Sequence, residues 1–94
     1  MFSIEIQDGG VVAMYGRLDA SQVEEAERTL SSLESSVVLD LTELQYISSA
    51  GIGIILKTYK RLHGTGHTLQ LANPSPHVRN IFHYAGLDQI LGIE

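Results

Sequence analysis

The sequence predicts a single α/β domain in which helices pack against a mainly parallel sheet. Apolar segments of strand length alternate with amphipathic helical segments, the segments follow each other closely, and no linker, repeat or low-complexity tract interrupts them. The 94 residues, 44% of them hydrophobic, suffice for one core but hardly for two. The predicted order is β-β-α-β-α-β-α-β, a mixed sheet of about five strands with three or more helices, and one domain spans residues 1–94.

The first residues predict a β-hairpin. Phe2, Ile4 and Ile6 alternate with polar residues. Asp8-Gly9-Gly10 breaks this alternation before a second apolar run at residues 11–15. Alternating residues around a glycine-rich turn are typical of two antiparallel strands.

A helix and a buried strand are predicted next. Asp19 or Ser21 can cap the helix, which ends in the serine-rich stretch 31–36. Its apolar stripe consists of Val23, Ala26, Leu30 and Leu33. The nearly continuous apolar run at residues 37–41 is typical of a strand covered on both faces, and therefore of a parallel sheet with crossover helices.

The second predicted helix begins near Ser49 and is stopped by residues 64–66, which contain two glycines. Its stripe of apolar residues follows the 3.6-residue period and comprises Ile52, Ile55, Leu56, Tyr59 and Leu62. Residues 68–72 read as the strand that follows it.

The C-terminal part predicts a third helix and a short last strand. Ser75 is the expected N-cap, with Pro76 at the first helical position. Gly86 is expected to end the helix, and residues 87–93 are expected to supply the strand.

Composition excludes several classes of partner. The net charge is -5, and the six Lys and Arg residues are spread along the chain. Nucleic acids and anionic membrane surfaces are therefore not expected as partners. There is no cysteine, no long apolar run and no basic-then-apolar leader at the N-terminus, so a cytoplasmic protein is the default expectation.

Enzyme signatures are scarce. The sequence has no G-x-S-x-G elbow, and Gly51-Ile52-Gly53 lacks both the third glycine and the lysine of nucleotide-binding loops. Glycines interrupt the segment between His63 and His67, so these two are not expected to form a metal site. A small nucleotide-binding or nucleotide-hydrolysing enzyme is kept as a disfavoured alternative, which turnover of ATP or GTP would support. No cofactor, metal or catalytic residue is predicted.

The most informative segment is ISSAGIG at residues 47–53, between an apolar strand and an amphipathic helix. The first four N–H groups of a helix have no internal acceptor, and the helix dipole is positive there. Ser48 and Ser49 therefore stand where an anion is favoured, and each could be a cap, a phosphate ligand or a phosphate acceptor. One serine suffices for capping, which leaves the other without a structural task.

Three acidic residues, Asp19, Asp40 and Glu43, are predicted near strand ends, where ligands collect in open α/β sheets. A structural role is favoured over a functional one for the two aspartates. Asp19 is expected to cap a helix, and Asp40 to accept a hydrogen bond from a loop amide.

Several segments together resemble the STAS domains of bacterial anti-sigma factor antagonists, and the likeness covers essentially the entire chain. These segments are VLDLT at residues 38–42, ISSAGIG at 47–53, GRLDA at 16–20, SPHV at 75–78, and Phe82 with the Ala85-Gly86-Leu87 exit.

The resemblance implies a phosphoacceptor. In such antagonists it is the Ser or Thr two places before the motif glycine, which corresponds to Ser49 before Gly51. The family often has Asp where this chain has Ser48, and a second hydroxyl where it has Ala50. Ser48 is therefore kept as an alternative acceptor and as the favoured cap. We also expect Asp19 and Asp40 to flank Ser49.

The resemblance also implies partner switching. The unmodified protein would bind an anti-sigma factor serine kinase of the histidine-kinase-like ATPase class, phosphorylation would break that complex, and a PP2C-type phosphatase would reverse the modification. The same fold family also includes accessory subunits of lipid-transport ABC complexes, and such a subunit is the alternative function.

The expected oligomeric state is a monomer or weak dimer. The candidate residues for a self-association surface are Phe2, Met14, Tyr15 and Tyr46.

Overall fold

A computed structural model describes residues 1–93, so Glu94, the last residue of the predicted domain, lies outside the described residues. The strands are β1 (Phe2–Ile6), β2 (Val11–Leu18), β3 (Val37–Ile47), β4 (Leu69–Ala72) and β5 (Gly92–Ile93). The helices are α1 (Val23–Leu30), α2 (Ser49–Gly64) and α3 (Pro76–Tyr84). The sheet has the order β1-β2-β3-β4-β5, with β1 antiparallel to β2 and the other pairs parallel. The predicted fold class and element order are confirmed.

The three helices share one face of the sheet. Each parallel crossover advances to the next strand in the same direction, and right-handed crossovers of this kind place every helix on the same side. Ala26 of α1, Ile55 of α2 and Phe82 of α3 all lie in one core. The expectation that β3 is covered on both faces is wrong, because Leu39 is fully buried while its neighbour Val38 is only half-buried.

β3 is longer than the predicted run at residues 37–41 and contains two irregularities of register. Between Ala13 and Tyr15 of β2, β3 advances from Asp40 to Glu43, so it uses three residues where β2 uses two. A second shift lies at Gly16 and Arg17 of β2. Such extra residues are β-bulges, which locally turn a strand. Core residues spaced by three can therefore face the helices, and these are Leu41, Leu44 and Ile47.

The helix ends follow the capping chemistry that the sequence predicts. Ser75 accepts a hydrogen bond from the Val78 N–H at 3.2 Å, with Pro76 in the first turn of α3. Gly86 follows α3 with a φ of 76°, which favours glycine. The last strand is shorter than predicted, because a 3₁₀ turn at Leu87–Gln89 occupies most of the segment before β5.

The proposed self-association surface is wrong in two of its members. Phe2 and Met14 are 5% and 0% exposed and belong to the core.

Among residues 1–93, no helix combines the length and the apolar character needed to cross a membrane.

Candidate functional site

The candidate site lies where β2 and β3 end side by side. Leu18 pairs with Ile47 in the parallel ladder, and the Ser48 N–H donates to the Leu18 carbonyl at 2.8 Å. Ser48 alone connects β3 to α2. The start of α2 is thus attached to the same edge of the sheet as Asp19, which directly follows β2. This is the carboxyl edge, where open α/β sheets place their binding sites.

The two serines have different tasks at the start of α2. Ser48 has extended backbone angles and its hydroxyl accepts a hydrogen bond from the Gly51 N–H at 3.2 Å, as an N-cap does. Ser49 is the first residue of the helix and is exposed. Within residues 1–93 its hydroxyl has no hydrogen-bond partner. The expectation that Ser48 caps the helix is confirmed, and the second serine is left exposed.

Gly51 allows the first turn of α2 to lie directly on the core. It is buried, and a Cβ at this position would lie 2.9 Å from Ile47 Cγ1 and 2.9 Å from Leu18 Cγ. These distances are shorter than real Cβ contacts, so any side chain would displace the helix or its neighbours. The motif glycine therefore sets the depth at which the helix start, and with it Ser49, sits on the sheet.

Asp19 is next to this helix start but its carboxylate is engaged elsewhere. Its Oδ1 accepts hydrogen bonds from the Ser21 hydroxyl at 2.6 Å and from the Ser21 N–H at 3.1 Å. The Ser21 hydroxyl, helped by the Ser21 amide and the Arg17 charge, lowers the pKa of Asp19 below its ordinary value. The carboxylate caps the 3₁₀ turn Ala20–Gln22 that leads into α1, so the structural role favoured from the sequence is confirmed.

Asp40 does not flank Ser49, and this part of the prediction is wrong. Asp40 pairs with Ala13, whereas Ile47 pairs with Leu18, five residues further along β2. At about 3.3 Å per residue, about 16 Å of strand separates Asp40 from the end of β3. The sequence placed Asp40 at a strand end because the apolar run stops there, but the bulges let β3 continue to Ile47.

The Asp40 carboxylate stabilises the first bulge. Its Oδ1 accepts hydrogen bonds from the Thr42 hydroxyl at 2.6 Å and from the Thr42 N–H at 3.1 Å. The Thr42 hydroxyl, then its amide, and to a lesser extent the side chain of Asn73 lower the pKa of Asp40 below its ordinary value. The expected hydrogen bond from a backbone amide forms, but its donor, Thr42, lies within β3 and not in a loop. Glu43, the third acidic candidate, is also inside β3 and pairs with Tyr15.

Sequence reasoning did not predict that three side chains come together near this edge, although it named one of them, Tyr46, as a self-association candidate. The guanidinium carbon of Arg17 lies 4.5 Å from the centroid of the Tyr46 ring, whose own centroid lies 6.4 Å from that of His77. Arg17 and Tyr46 each precede the last residue of their strand, and this shared position could have signalled that they are neighbours. Nothing in the sequence around α3 indicates that His77 joins them.

Comparison with known families defines the class. The family model for "Mlab, STAS domain" matches residues 3–92, and the chain therefore belongs to the STAS family. BtrV of Bordetella bronchiseptica, assigned as an anti-sigma factor antagonist, is 35% identical over 91 residues, which cover 92% of this chain and 78% of BtrV. The anti-sigma-B factor antagonist of Listeria monocytogenes is 30% identical, over 98% of this chain and 88% of that protein.

Solved structures place the chain with the same group. The anti-sigma factor antagonist SpoIIAA in its unphosphorylated form matches with a TM-score of 0.79 and 25% identity, over 100% of this chain and 88% of that chain. The phosphorylated form of Bacillus SpoIIAA has the same fold, with a TM-score of 0.72 and 24% identity over 100% and 91% of the two chains. The resemblance inferred from the sequence motifs is thus confirmed, and the two relatives from Bordetella and Listeria are named anti-sigma factor antagonists.

Proposed function

We propose that this chain is an anti-sigma factor antagonist that works by partner switching. In its unphosphorylated form it binds an anti-sigma factor, and phosphorylation of Ser49 releases it. The partner we propose is a serine kinase of the histidine-kinase-like ATPase class in the cytoplasm, with a PP2C-type phosphatase restoring the binding form. The chain itself is a substrate and regulator, not an enzyme.

One observation carries the assignment of Ser49. Ser49 is exposed and its hydroxyl makes no hydrogen bond to the described part of the chain, whereas the adjacent Ser48 hydroxyl is already the acceptor for the Gly51 N–H. A kinase that removes a proton from Ser49 and transfers a phosphoryl group disrupts no hydrogen bond of the folded protein. Modification of Ser48 would instead compete with the cap of α2, at a cost of about 1 kcal/mol.

The helix start tolerates a phosphate without refolding. Phosphorylation adds about -1.5 to -2 charges and three acceptor oxygens. The first amides of α2, those of Ser49 and Ala50, have no acceptor in a preceding turn and lie at the positive end of the helix dipole. The modified protein therefore keeps its fold, and the change acts on what can dock against this surface.

In a complex the same phosphate is unfavourable. A partner that covers Ser49 has to remove water from the charged group, and a buried charge without a matching donor is costly. A penalty of only about 3 kcal/mol weakens binding by more than a hundredfold. A single added group is thus sufficient for release.

The test is phosphorylation of matched variants. Incubation of the wild type with its kinase and ATP should add one phosphate to the intact mass, Ser48→Ala should also gain one, and Ser49→Ala should gain none. Ser49→Ala should remain bound to the kinase in the presence of ATP, and Ser49→Asp should bind more weakly than wild type. A phosphate on Ser49→Ala would exclude Ser49 as the acceptor.

A pull-down with the unphosphorylated protein tests the alternative function. Recovery of an ABC ATPase in place of a kinase would favour a role as an accessory subunit of a lipid-transport ABC complex.

A further inference from the structure

We infer that β1 is a self-association surface, through which two copies of this chain pair edge to edge and form a weak dimer. The occupant of the surface is β1 of a second copy in antiparallel orientation, related to the first by a two-fold axis at Ile4. This pairing does not depend on the proposed function, because it uses the hydrogen-bonding edge of the sheet and not Ser49.

The hydrogen bonds between β1 and β2 show which backbone groups of β1 point outward. β1 is the first strand of the sheet, and its neighbour in the sheet is β2. The Gln7 N–H donates to the Val11 carbonyl at 2.7 Å, and the Arg17 N–H donates to the Met1 carbonyl at 3.0 Å. Met1 and Gln7 therefore belong to the hydrogen-bonded pairs of the antiparallel ladder, which occur at every second residue. It follows that the backbone groups of the even-numbered residues point away from β2.

The outward-pointing residues are Phe2, Ile4 and Ile6. Within the described part of the chain, no turn, cap or side chain bonds to their N–H or carbonyl groups. Because side chains alternate along a strand, all three side chains lie on the helix face of the sheet. Phe2 is buried in the core and Ile4 packs against it, whereas Ile6 is 56% exposed. The edge thus combines unpaired backbone groups with an apolar side chain that is still open to solvent.

β1 lacks the features that normally protect an edge strand. It contains no Lys and no Pro, and its five residues pair with β2 in one register without a bulge. The opposite edge of the sheet is β5, which has only two residues and is too short to offer the same surface. A regular, apolar and unpaired edge of this length is suited to the addition of a strand.

Symmetry and charge favour a second copy in one particular register. When Ile4 lies opposite Ile4 of the second copy, Phe2 lies opposite Ile6 in both directions, and each of these pairs can exchange backbone hydrogen bonds. The same register sets Glu5 opposite Ser3, so that no like charges meet. A shift by two residues in one direction would set Glu5 directly opposite Glu5, and a shift in the other direction would leave Ile6 without a partner. The register with the most hydrogen bonds is therefore also the one that charge permits.

The dimer is expected to be weak and to respond to salt. A pair of five-residue strands buries much less surface than a standard interface. Each copy also carries a net charge of -5, so the two copies repel each other. Because salt screens this repulsion, association should become stronger as the salt concentration rises. A basic partner strand would show the opposite dependence.

Sedimentation equilibrium of the purified chain tests the pairing. The average mass should rise from that of a monomer at about 10 μM toward that of a dimer at about 1 mM. Raising NaCl from about 50 mM to about 500 mM should lower the dissociation constant. Amide hydrogen exchange then reports the register, since the amides of Phe2, Ile4 and Ile6 should gain more protection at the higher concentration than those of Ser3 and Glu5.

Charge changes at Ser3 test the predicted pairing with Glu5 of the second copy. Ser3→Lys should strengthen dimerisation about threefold or more, because it sets opposite charges across the edge, and Ser3→Glu should weaken it by a similar factor. Asn80→Lys and Asn80→Glu are the matched controls, since Asn80 is exposed on α3, which packs mainly against β3. These variants make the same changes in net charge and should alter the dissociation constant by less than twofold. Urea unfolding establishes that each variant is folded.

Three results would overturn the pairing of β1 with a second copy. The first is a monomeric mass up to about 1 mM, and the second is a dimer that responds equally to the Ser3 and Asn80 variants. The third is a gain of protection at β5 or at helix amides in place of those of β1. None of these measurements uses a kinase, so a failure of the proposed function would leave them unaffected.

Discussion

Ser48 and Ser49 are chemically identical neighbours, yet the start of α2 gives them different environments. Ser48 is in extended conformation and its hydroxyl accepts the Gly51 N–H, while Ser49 is helical and faces solvent. The difference follows from the rule that the N-cap residue satisfies a free amide of the first turn. Motif spacing and capping chemistry predict both roles before any tertiary contact is known.

Gly51 provides a prediction at the residue scale. Gly51→Ala should lower the free energy of unfolding by about 1–3 kcal/mol, because its Cβ would meet Ile47 and Leu18 at 2.9 Å. The matched control is Gly53→Ala in the same helix, where a Cβ meets nothing within 4 Å. That change should stabilise the protein by up to about 1 kcal/mol, because alanine is the better helix former. Urea denaturation of both variants checks the pair, and equal stabilities would contradict the packing argument.

At the scale of elements, β3 shows where sequence periodicity was insufficient. Alternation holds as far as Leu41, and the spacing then changes to three, through Leu44 to Ile47. A spacing of three in a strand requires an extra residue in each interval. Over the same two intervals β2 advances by one residue fewer, which leaves the extra residues of β3 unpaired. From the sequence, residues 42–46 resemble a loop, because a bulge is defined only relative to the neighbouring strand.

Asp40 makes the stability of this element dependent on pH. Its pKa is lowered from 3.8 by Thr42, so its hydrogen bonds contribute stability that is fully present above the unfolded pKa. That contribution disappears as the pH falls through the lower pKa of the folded state. The urea midpoint of wild type should therefore fall between about pH 5 and pH 2, and Asp40→Asn should flatten part of that decline.

The control for Asp40 is an aspartate in the exposed hairpin turn. Asp8 makes no side-chain hydrogen bond within residues 1–93, so Asp8→Asn should retain the wild-type profile. An Asp40→Asn profile as steep as that of wild type would show that the bulge does not depend on this charge.

At the scale of the whole molecule, the one-sided arrangement of helices determines where the site can be. With all three helices on one face, the connections from β2 to α1 and from β3 to α2 lie next to each other at one edge of the sheet. Asp19 and Ser48 lie near each other there although they come from distant parts of the chain. β2 and β3 are adjacent and parallel, so their carboxyl ends lie at the same edge of the sheet. Right-handed crossovers then place both helices on the same face.

Arg61 couples two of these helices and allows a prediction at this scale. Its guanidinium donates to the carbonyls of Leu30 and Leu33 at 2.8 Å each, which joins α2 to the end of α1. Arg61→Met should lower the free energy of unfolding by about 1–2 kcal/mol, because two carbonyls lose a charged donor. Lys60→Met is the control, since Lys60 is exposed and makes no hydrogen bond within the described residues. Similar unfolding midpoints for the two variants would contradict this role.

The sequence by itself determined the element order, the helix caps and the position of Ser49, because each depends on residues within a few places of one another. Tertiary structure decided what depends on pairing between distant segments: the bulges of β3, the removal of Asp40 from the site, and the meeting of Arg17, Tyr46 and His77. Local patterns specify backbone conformation through short-range hydrogen bonds and periodicity. Register between strands is a property of two segments at once, and no pattern in one of them contains it.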